Sequence, residues 1–183
     1  MPETRPDTPF LHGICAACRS HAQSQNVDWD ARWETLCGLA REQRTDSFNC
    51  VVPVSGGKDS CLQVMKALEA GFRPLCVHFE TTLPTDLGHH NLEVLRNFGV
   101  DLFHVKINPR TMKRLTEYGF ESAGVAQLGL FLGAYVAPVQ VALRFGIPLI
   151  IWGENPYREY GGNESAVAYT GVDVYSVESG GGG

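Results

Sequence analysis

Asn49-Cys50-Val51-Val52-Pro53-Val54-Ser55-Gly56-Gly57-Lys58-Asp59-Ser60-Cys61-Leu62-Gln63-Val64-Met65-Lys66-Ala67-Leu68 is the stretch that decides the fold. Its first six residues are an apolar run of strand length and read as a short buried strand. At its far end Cys61, Val64, Met65 and Leu68 share one face of a helix. The six residues between, Ser55 to Ser60, are therefore a strand-to-helix turn. Two adjacent glycines allow a tight bend and a close approach of a ligand to the backbone. Ser and Asp at a helix start are residue types that cap exposed N–H groups. The positive end of the helix faces into the turn, and the occupant that suits it is a phosphate or pyrophosphate.

Outward from this unit the pattern alternates. Gly71 ends the helix, and Arg73 to Glu80 is a second strand. Residues 81–88 form a loop. Residues 89–98 form a helix with Leu92, Leu95 and Phe98 inward. Val100 to Ile107 is a third strand, whose apolar/polar alternation marks it as edge-like. A helix over 110–118 carries Arg110, Lys113 and Arg114 on its outer side, and these read with His89 and His90 as solvated positions. A long apolar helix over 130–145 is interrupted by Pro138. Leu149-Ile150-Ile151-Trp152 is a continuous apolar strand that ends in Gly153-Glu154-Asn155. Strands alternating with helices predict an α/β fold, a doubly wound parallel sheet with helices on both faces. Ligands of such sheets bind beyond the carboxyl ends of the strands, near the switch in strand order. That rule gathers the Ser55–Ser60 turn, the His78–Thr82 strand end and the Gly153–Asn155 strand end.

The flanks are less regular. Residues 1–25, with prolines 2, 6 and 9, are expected to be irregular. They hold Cys15-Ala16-Ala17-Cys18 between His12 and His21. A structural zinc site needs four ligands, normally two separated pairs. Cys15 and Cys18 are one pair, so they read either as zinc ligands completed by the two histidines or as half of a knuckle. A redox role is disfavoured, because the pair is not expected at the start of a helix in a βαβ unit. Cys37, Cys50, Cys61 and Cys76 fall in predicted strands and on apolar helix faces and read as small buried residues. Residues 28–44 are an amphipathic helix with Trp33, Leu36, Cys37 and Ala40 on one face. The expected organisation is an N-terminal extension over 1–47, a nucleotide-binding domain over 48–163, and a divergent tail over 164–183. That tail ends in four glycines that read as flexible. The chain of 183 residues has 15 Lys and Arg against 20 Asp and Glu, a net charge of -5. This argues against a broad nucleic-acid surface. No apolar stretch is expected to reach transmembrane length, the first residues lack a signal-peptide pattern, and a cytoplasmic protein is expected.

The turn is not a Walker A loop, which needs Ser or Thr directly after its Gly-Lys pair; Asp59 stands there. Ser55-Gly56-Gly57-Lys58-Asp59-Ser60 instead resembles the SGGxDS signature of the PP-loop ATP pyrophosphatases. Over residues 4–163 the chain resembles one branch of that group, the N-acetyl sugar amidotransferases. The resemblance is carried by Thr4 to Phe10, Gly13 to Cys18, Asp28-Trp29, Val52 to Ser60, Pro84 to Gly88 and Asn91-Leu92-Glu93. It continues through Pro138 to Ala142, Trp152-Gly153-Glu154-Asn155 and Glu159-Tyr160-Gly161-Gly162. It implies a PP-loop, adenine-nucleotide α-hydrolase-like domain. It also implies a second C-x-x-C before Met1 and a longer C-terminal part that helps hold the sugar, so this chain is expected to be incomplete.

The implied activity uses ATP and Mg²⁺ to adenylate the N-acetyl group of a surface-polysaccharide sugar. Ammonia from a separate glutaminase subunit then makes an acetamidino group. Backbone N–H groups of Gly56 and Gly57, with Val54, Ser55 and Ser60, are expected to hold the pyrophosphate. Lys58 either adds positive charge there or is solvated. Asp59 either ligates Mg²⁺ or caps the helix. Val77, His78 and Phe79 are placed to meet the adenosine, or His78 bonds a neighbouring loop. Gly153 and Glu154 complete the rim, with Glu154 binding metal, sugar or ammonia, or capping the turn at 156–158. The competing readings are a PP-loop enzyme that thiolates tRNA, which the acidic charge disfavours, and a non-catalytic nucleotide-binding fragment.

Overall fold

The computed structural model describes residues 9–80 and 83–154. Of these, Asp30–Gly153 form one compact unit and the remainder another. The expected tail over 164–183 and the Glu159–Gly162 run lie outside the described residues.

The smaller unit corrects the expectation of an irregular N-terminus. Strands β1 (Phe10–Leu11) and β2 (Ile14–Cys15) pair antiparallel and run directly into helix α1 (Ala16–Ser24). His12 and Gly13 turn the hairpin with φ of 53° and 77°. Positive φ at both central residues matches the twist of the flanking strands. The turn signal is weak in sequence because His occupies a position usually given to Asn, Asp or Gly.

The larger unit contains the predicted alternation. After α2 (Trp29–Glu42), all but the first residue of which belongs to it, it runs β3 (Cys50–Pro53), α3 (Lys58–Glu69), β4 (Pro74–Phe79), α4 (Asp86–Arg96), β5 (Asp101–Val105), α5 (Pro109–Ala123) and α6 (Leu128–Phe145). The sheet order is β3-β4-β5, all parallel, with Val52 opposite Cys76 and Val77 opposite Phe103. β5 is exposed at Asp101, Phe103 and His104, as an edge strand should be. The continuous strand expected over 149–152 is instead a single parallel bridge, Ile150 to Val51, on the free edge of β3. Leu149 O accepts from Val51 N–H, and Ile151 N–H donates to Val51 O. Pro148, immediately before, has no N–H with which to extend the ladder.

One face of the sheet is sealed by α2, α3 and α4 through Val52, Val64, Ala67, Cys76, Leu92 and Leu95, with Trp33 and Leu36 packed against them. Cys50 and Cys76 are fully buried, while Cys37 and Cys61 are half-buried. The other face is covered by α6 through Val141 and Ala142 against Val51, Leu75 and Val77. α6 runs unbroken through the buried Pro138, where an interruption was expected. A Cβ at Gly133 would overlap the ring of Phe79, so only glycine lets α6 lie this close to β4. α5 extends five residues past the predicted end, to Ala123, and stops where Gly124 turns left-handed at φ 69°. α6 also corrects a composition-based expectation: over 18 residues its mean hydropathy is 1.5, long and apolar enough to cross a membrane. Its inner side is a sheet-packing face, while Val136, Val139 and Leu143 are exposed.

Leu95 has no exposed surface and Leu143 is 77% exposed. Leu95→Ala should therefore cost roughly 2–5 kcal/mol through lost burial and a residual cavity. Leu143→Ala should cost less than about 0.5 kcal/mol. Urea unfolding of the two variants measures both.

Candidate nucleotide-binding site

Val54, the residue that leaves β3, is held at both of its peptide groups. Its N–H donates to Val77 O at 2.9 Å. Its carbonyl accepts from His78 Nδ1 at 2.9 Å. A carbonyl only accepts, so this bond places a proton on Nδ1. The root of the turn is thus clamped by two consecutive residues of β4.

Beyond the clamp the backbone turns through Gly56 at φ 81°. A Cβ there would sit 3.3 Å from Leu92 Cγ and 3.4 Å from Asn91 Cβ, so α4 walls the turn on one side. Ser55 Oγ accepts from Gly57 N–H at 3.3 Å. Gly57 is the N-cap of α3, and no side chain caps the helix. The expectation that Ser and Asp cap it is corrected. Ser60 hydroxyl donates to Gly57 O at 2.9 Å, and Asp59 pairs with Lys58 Nζ at 2.7 Å and 2.9 Å. Both members of that ion pair are largely exposed. An exposed pair is weak enough for a ligand or cation to replace. The result is a helix N-terminus without a side-chain cap, beside a lysine, a carboxylate and a serine hydroxyl. Such an arrangement suits an anion carried with a divalent cation.

The position of the turn matters as much as its shape. β3 has β4 on one side and the Ile150 bridge on the other, so strand order reverses at β3. The turn leaves the carboxyl end of that strand, at the switch point where ligands of open α/β sheets bind. Surface concavities lined by Asp46, Asn49 and Arg73 lie at the opposite ends of β3 and β4 and do not adjoin the turn.

The other predicted residues are placed as follows. The side chain of Val77 is in the core with Val51 and Val141. The ring of Phe79 is buried with Met112 and Ala137. The His78 Nδ1–H and the Val77 carbonyl are both spent on Val54. Gly153 lies against Gln63, with the Gln63 amide carbon 3.1 Å from where a Cβ would stand. Gln63 Nε2 donates to Ile151 O, tying α3 to the last strand-like segment. Sequence reasoning missed Gln63, Asn91 and Leu92, since nothing in a helix pattern says which neighbour a residue will meet. Glu154 is exposed and belongs to the smaller unit. Cys15 and Cys18 belong to it too, and among the described residues no three His, Cys, Asp or Glu side chains are grouped to hold a metal ion.

His78 is surrounded by titratable groups. The His104 ring from β5 stands edge-on at a centroid distance of 5.5 Å. Glu80, the residue after β4, is bound by Lys106 at 2.7 Å, which holds its carboxyl below the usual range. His89 contributes from α4. Burial lowers the His78 pKa from 6.5, the Val54 bond opposes that shift, and the neighbouring histidines add to it.

No protein-family model and no curated protein matches the chain. Solved structures do. NMN synthetase from Francisella tularensis superposes with a TM-score of 0.53 at 14% identity, over 72% of this chain and 56% of that one. NH3-dependent NAD synthetase from Campylobacter jejuni, solved with nitrate, superposes with a TM-score of 0.51 at 14% identity, over 71% and 58%. The present chain spans a little over half the length of each. At this identity the likeness is one of fold, and it agrees with the adenine-nucleotide α-hydrolase-like architecture expected from the sequence.

His78→Ala leaves the Val54 carbonyl unpartnered and should cost about 1–3 kcal/mol, and His78→Asn should recover part of that. The unfolded chain binds a proton at His78 more readily than the folded one. The wild type should therefore lose stability as pH falls below 6.5 and through the lower folded value. Urea midpoints between pH 7 and 5 should show a smaller loss for His78→Asn.

Proposed function

We propose that the Ser55–Ser60 turn binds the phosphates of ATP with Mg²⁺, and that the chain is the nucleotide-binding part of an ATP-dependent enzyme forming a C–N bond. The observation that carries this reading is the α3 N-terminus without a side-chain cap, clamped through Val54 at the point where strand order reverses. The names of the two similar structures add support. Both are synthetases, and one is NH3-dependent. Gly56 and Gly57 N–H groups with Ser55 and Ser60 would receive the pyrophosphate. Lys58, released from Asp59, would balance phosphate charge, and Asp59 would hold Mg²⁺, which when bound neutralises charge at the phosphates. The carboxyl end of β4, from Val77 to Phe79, would meet the adenosine.

The finer proposal follows the sequence resemblance. An amide carbonyl is a poor electrophile and its oxygen a poor leaving group. Attack of the N-acetyl oxygen on the α-phosphorus expels pyrophosphate and leaves an O-adenylyl imidate. Ammonia adds at the imidate carbon, AMP leaves with the oxygen, and an acetamidino group remains. The acceptor would be an N-acetylated, nucleotide-linked sugar and the ammonia source a glutaminase subunit. Glu154, in the other unit, enters this proposal by the family resemblance alone.

Calorimetry should detect ATP·Mg²⁺ binding by the wild type. Ser55→Ala with Asp59→Ala should weaken it at least about 100-fold, since two interactions with a charged ligand are removed. Equal affinity in the two proteins would remove the turn from the reading. Release of AMP and pyrophosphate that requires both an N-acetyl sugar and ammonia would establish the finer proposal. Release stimulated by RNA instead would replace the sugar with a nucleic-acid substrate.

A further inference from the structure

Glu80 follows β4 directly, and β4 is the strand beside the one that carries the Ser55–Ser60 turn. Its N–H donates to Val105 O at 2.9 Å, so the ladder to β5 runs one residue past the strand end. Its side chain is 17% exposed, and Lys106 Nζ donates to Oε1 at 2.7 Å. The other oxygen, Oε2, accepts no hydrogen bond from the described residues. A mostly buried carboxylate oxygen of this kind is one that a ligand hydroxyl can satisfy. The pleat decides which side of the rim it occupies. Cys76 and Leu102 pack with Leu92 and Leu95 of α4. Side chains alternate along a strand, so His78 and Glu80, with His104 and Lys106, lie on that same α4 side. There Asn91 and Leu92 also wall the turn at Gly56. Lys106, first, and then His104 and His89 act on the Glu80 carboxyl to favour its charged form. The paired ammonium also offsets the repulsion that a bare carboxylate would exert on nearby phosphates.

Resting on the reading of the Ser55–Ser60 turn as a phosphate site, we propose that Glu80 holds the ribose of the bound nucleotide, its carboxylate accepting hydrogen bonds from the 2′- and 3′-hydroxyls. Reach supports this placement. Neighbouring strands lie about 4.8 Å apart. In a nucleotide a single ester link joins the α-phosphate to the sugar. With the phosphates over the end of β3, the sugar therefore lies over the end of β4. Chemistry supports it as well. An ionised carboxylate only accepts, and two vicinal hydroxyls are two donors side by side. Oε2 takes one hydroxyl, and Oε1 takes the other with a lone pair that Lys106 does not use. Hydrogen bonds to a charged acceptor are about twice as strong as neutral ones. Doubly wound dinucleotide-binding sheets place an acidic residue about 20 residues beyond their glycine turn for the same purpose. Glu80 thereby makes the site selective for ribonucleotides over their deoxy forms.

Calorimetry of the whole chain with ATP·Mg²⁺ and with 2′,3′-dideoxy-ATP·Mg²⁺ tests this. The wild type should bind the dideoxy nucleotide roughly 10- to 100-fold more weakly, the loss expected when hydrogen bonds to a charged group go unmade. Glu80→Gln should weaken ATP binding and leave the dideoxy affinity within about threefold of the wild type, so that the preference for ribose shrinks to less than about threefold. A wild type that binds ATP and the dideoxy nucleotide equally would overturn the proposal and leave the phosphate turn in place. A Glu80→Gln variant that keeps the full preference would overturn it too, because other groups would then be reading the sugar. A wild type that binds neither nucleotide would remove the phosphate reading and this inference together.

Discussion

The candidate site depends on one clamp. Val54 gives its N–H to Val77 and its carbonyl to the His78 ring, so the first residue after β3 cannot rotate either peptide plane freely. Everything downstream inherits that direction. Gly56 turns against Leu92, Gly57 opens α3, and the first N–H groups of the helix point beyond the sheet rim. A histidine in a strand end can reach out to a ligand or inward to a neighbouring loop. Here burial settles the matter, because an imidazole taken out of water needs a partner for its N–H, and the Val54 carbonyl is that partner.

The topology then gives the turn its setting. The chain crosses from β3 to β4 to β5 on one side and returns along α5 and α6 to lay Ile150 on the other edge of β3. The turn after β3 therefore opens between two diverging crossovers. Gly133 permits the close seat of α6 on Phe79, and Gln63 ties α3 to Ile151. These contacts come from parts of the chain far apart in sequence, and they hold the rim of the sheet as one surface.

Much of the fold was legible in the pattern. The alternation of strand and helix from Asn49 onward, the inward Leu92 and Leu95 and the edge character of β5 all appear as written. They rest on local periodicity. The misses share a cause as well. The hairpin at Phe10–Cys15 is two residues per strand, below the length at which alternation can be seen. The strand over 149–152 has the right composition but meets only Val51. Pro138 was read as a break, yet a proline with its ring buried against the sheet leaves α6 intact. In the site, the glycines and the helix start that follows them were readable from residue type. The uses of Ser60, Asp59 and His78 were not, because each has several acceptable partners and distance chooses among them.

The amino-acid order alone determined that a glycine-bent turn joins a buried strand to a helix, since only that reading satisfies the apolar run, the paired glycines and the helical face together. The tertiary structure decided which side chains the turn would have left to offer. It put His78 inside rather than outside and matched Lys58 with Asp59 and Glu80 with Lys106. The physical reason is that periodicity and residue type act over one helical turn or one strand pair. Burial and hydrogen-bond partnership are settled by whichever distant segment folds against them.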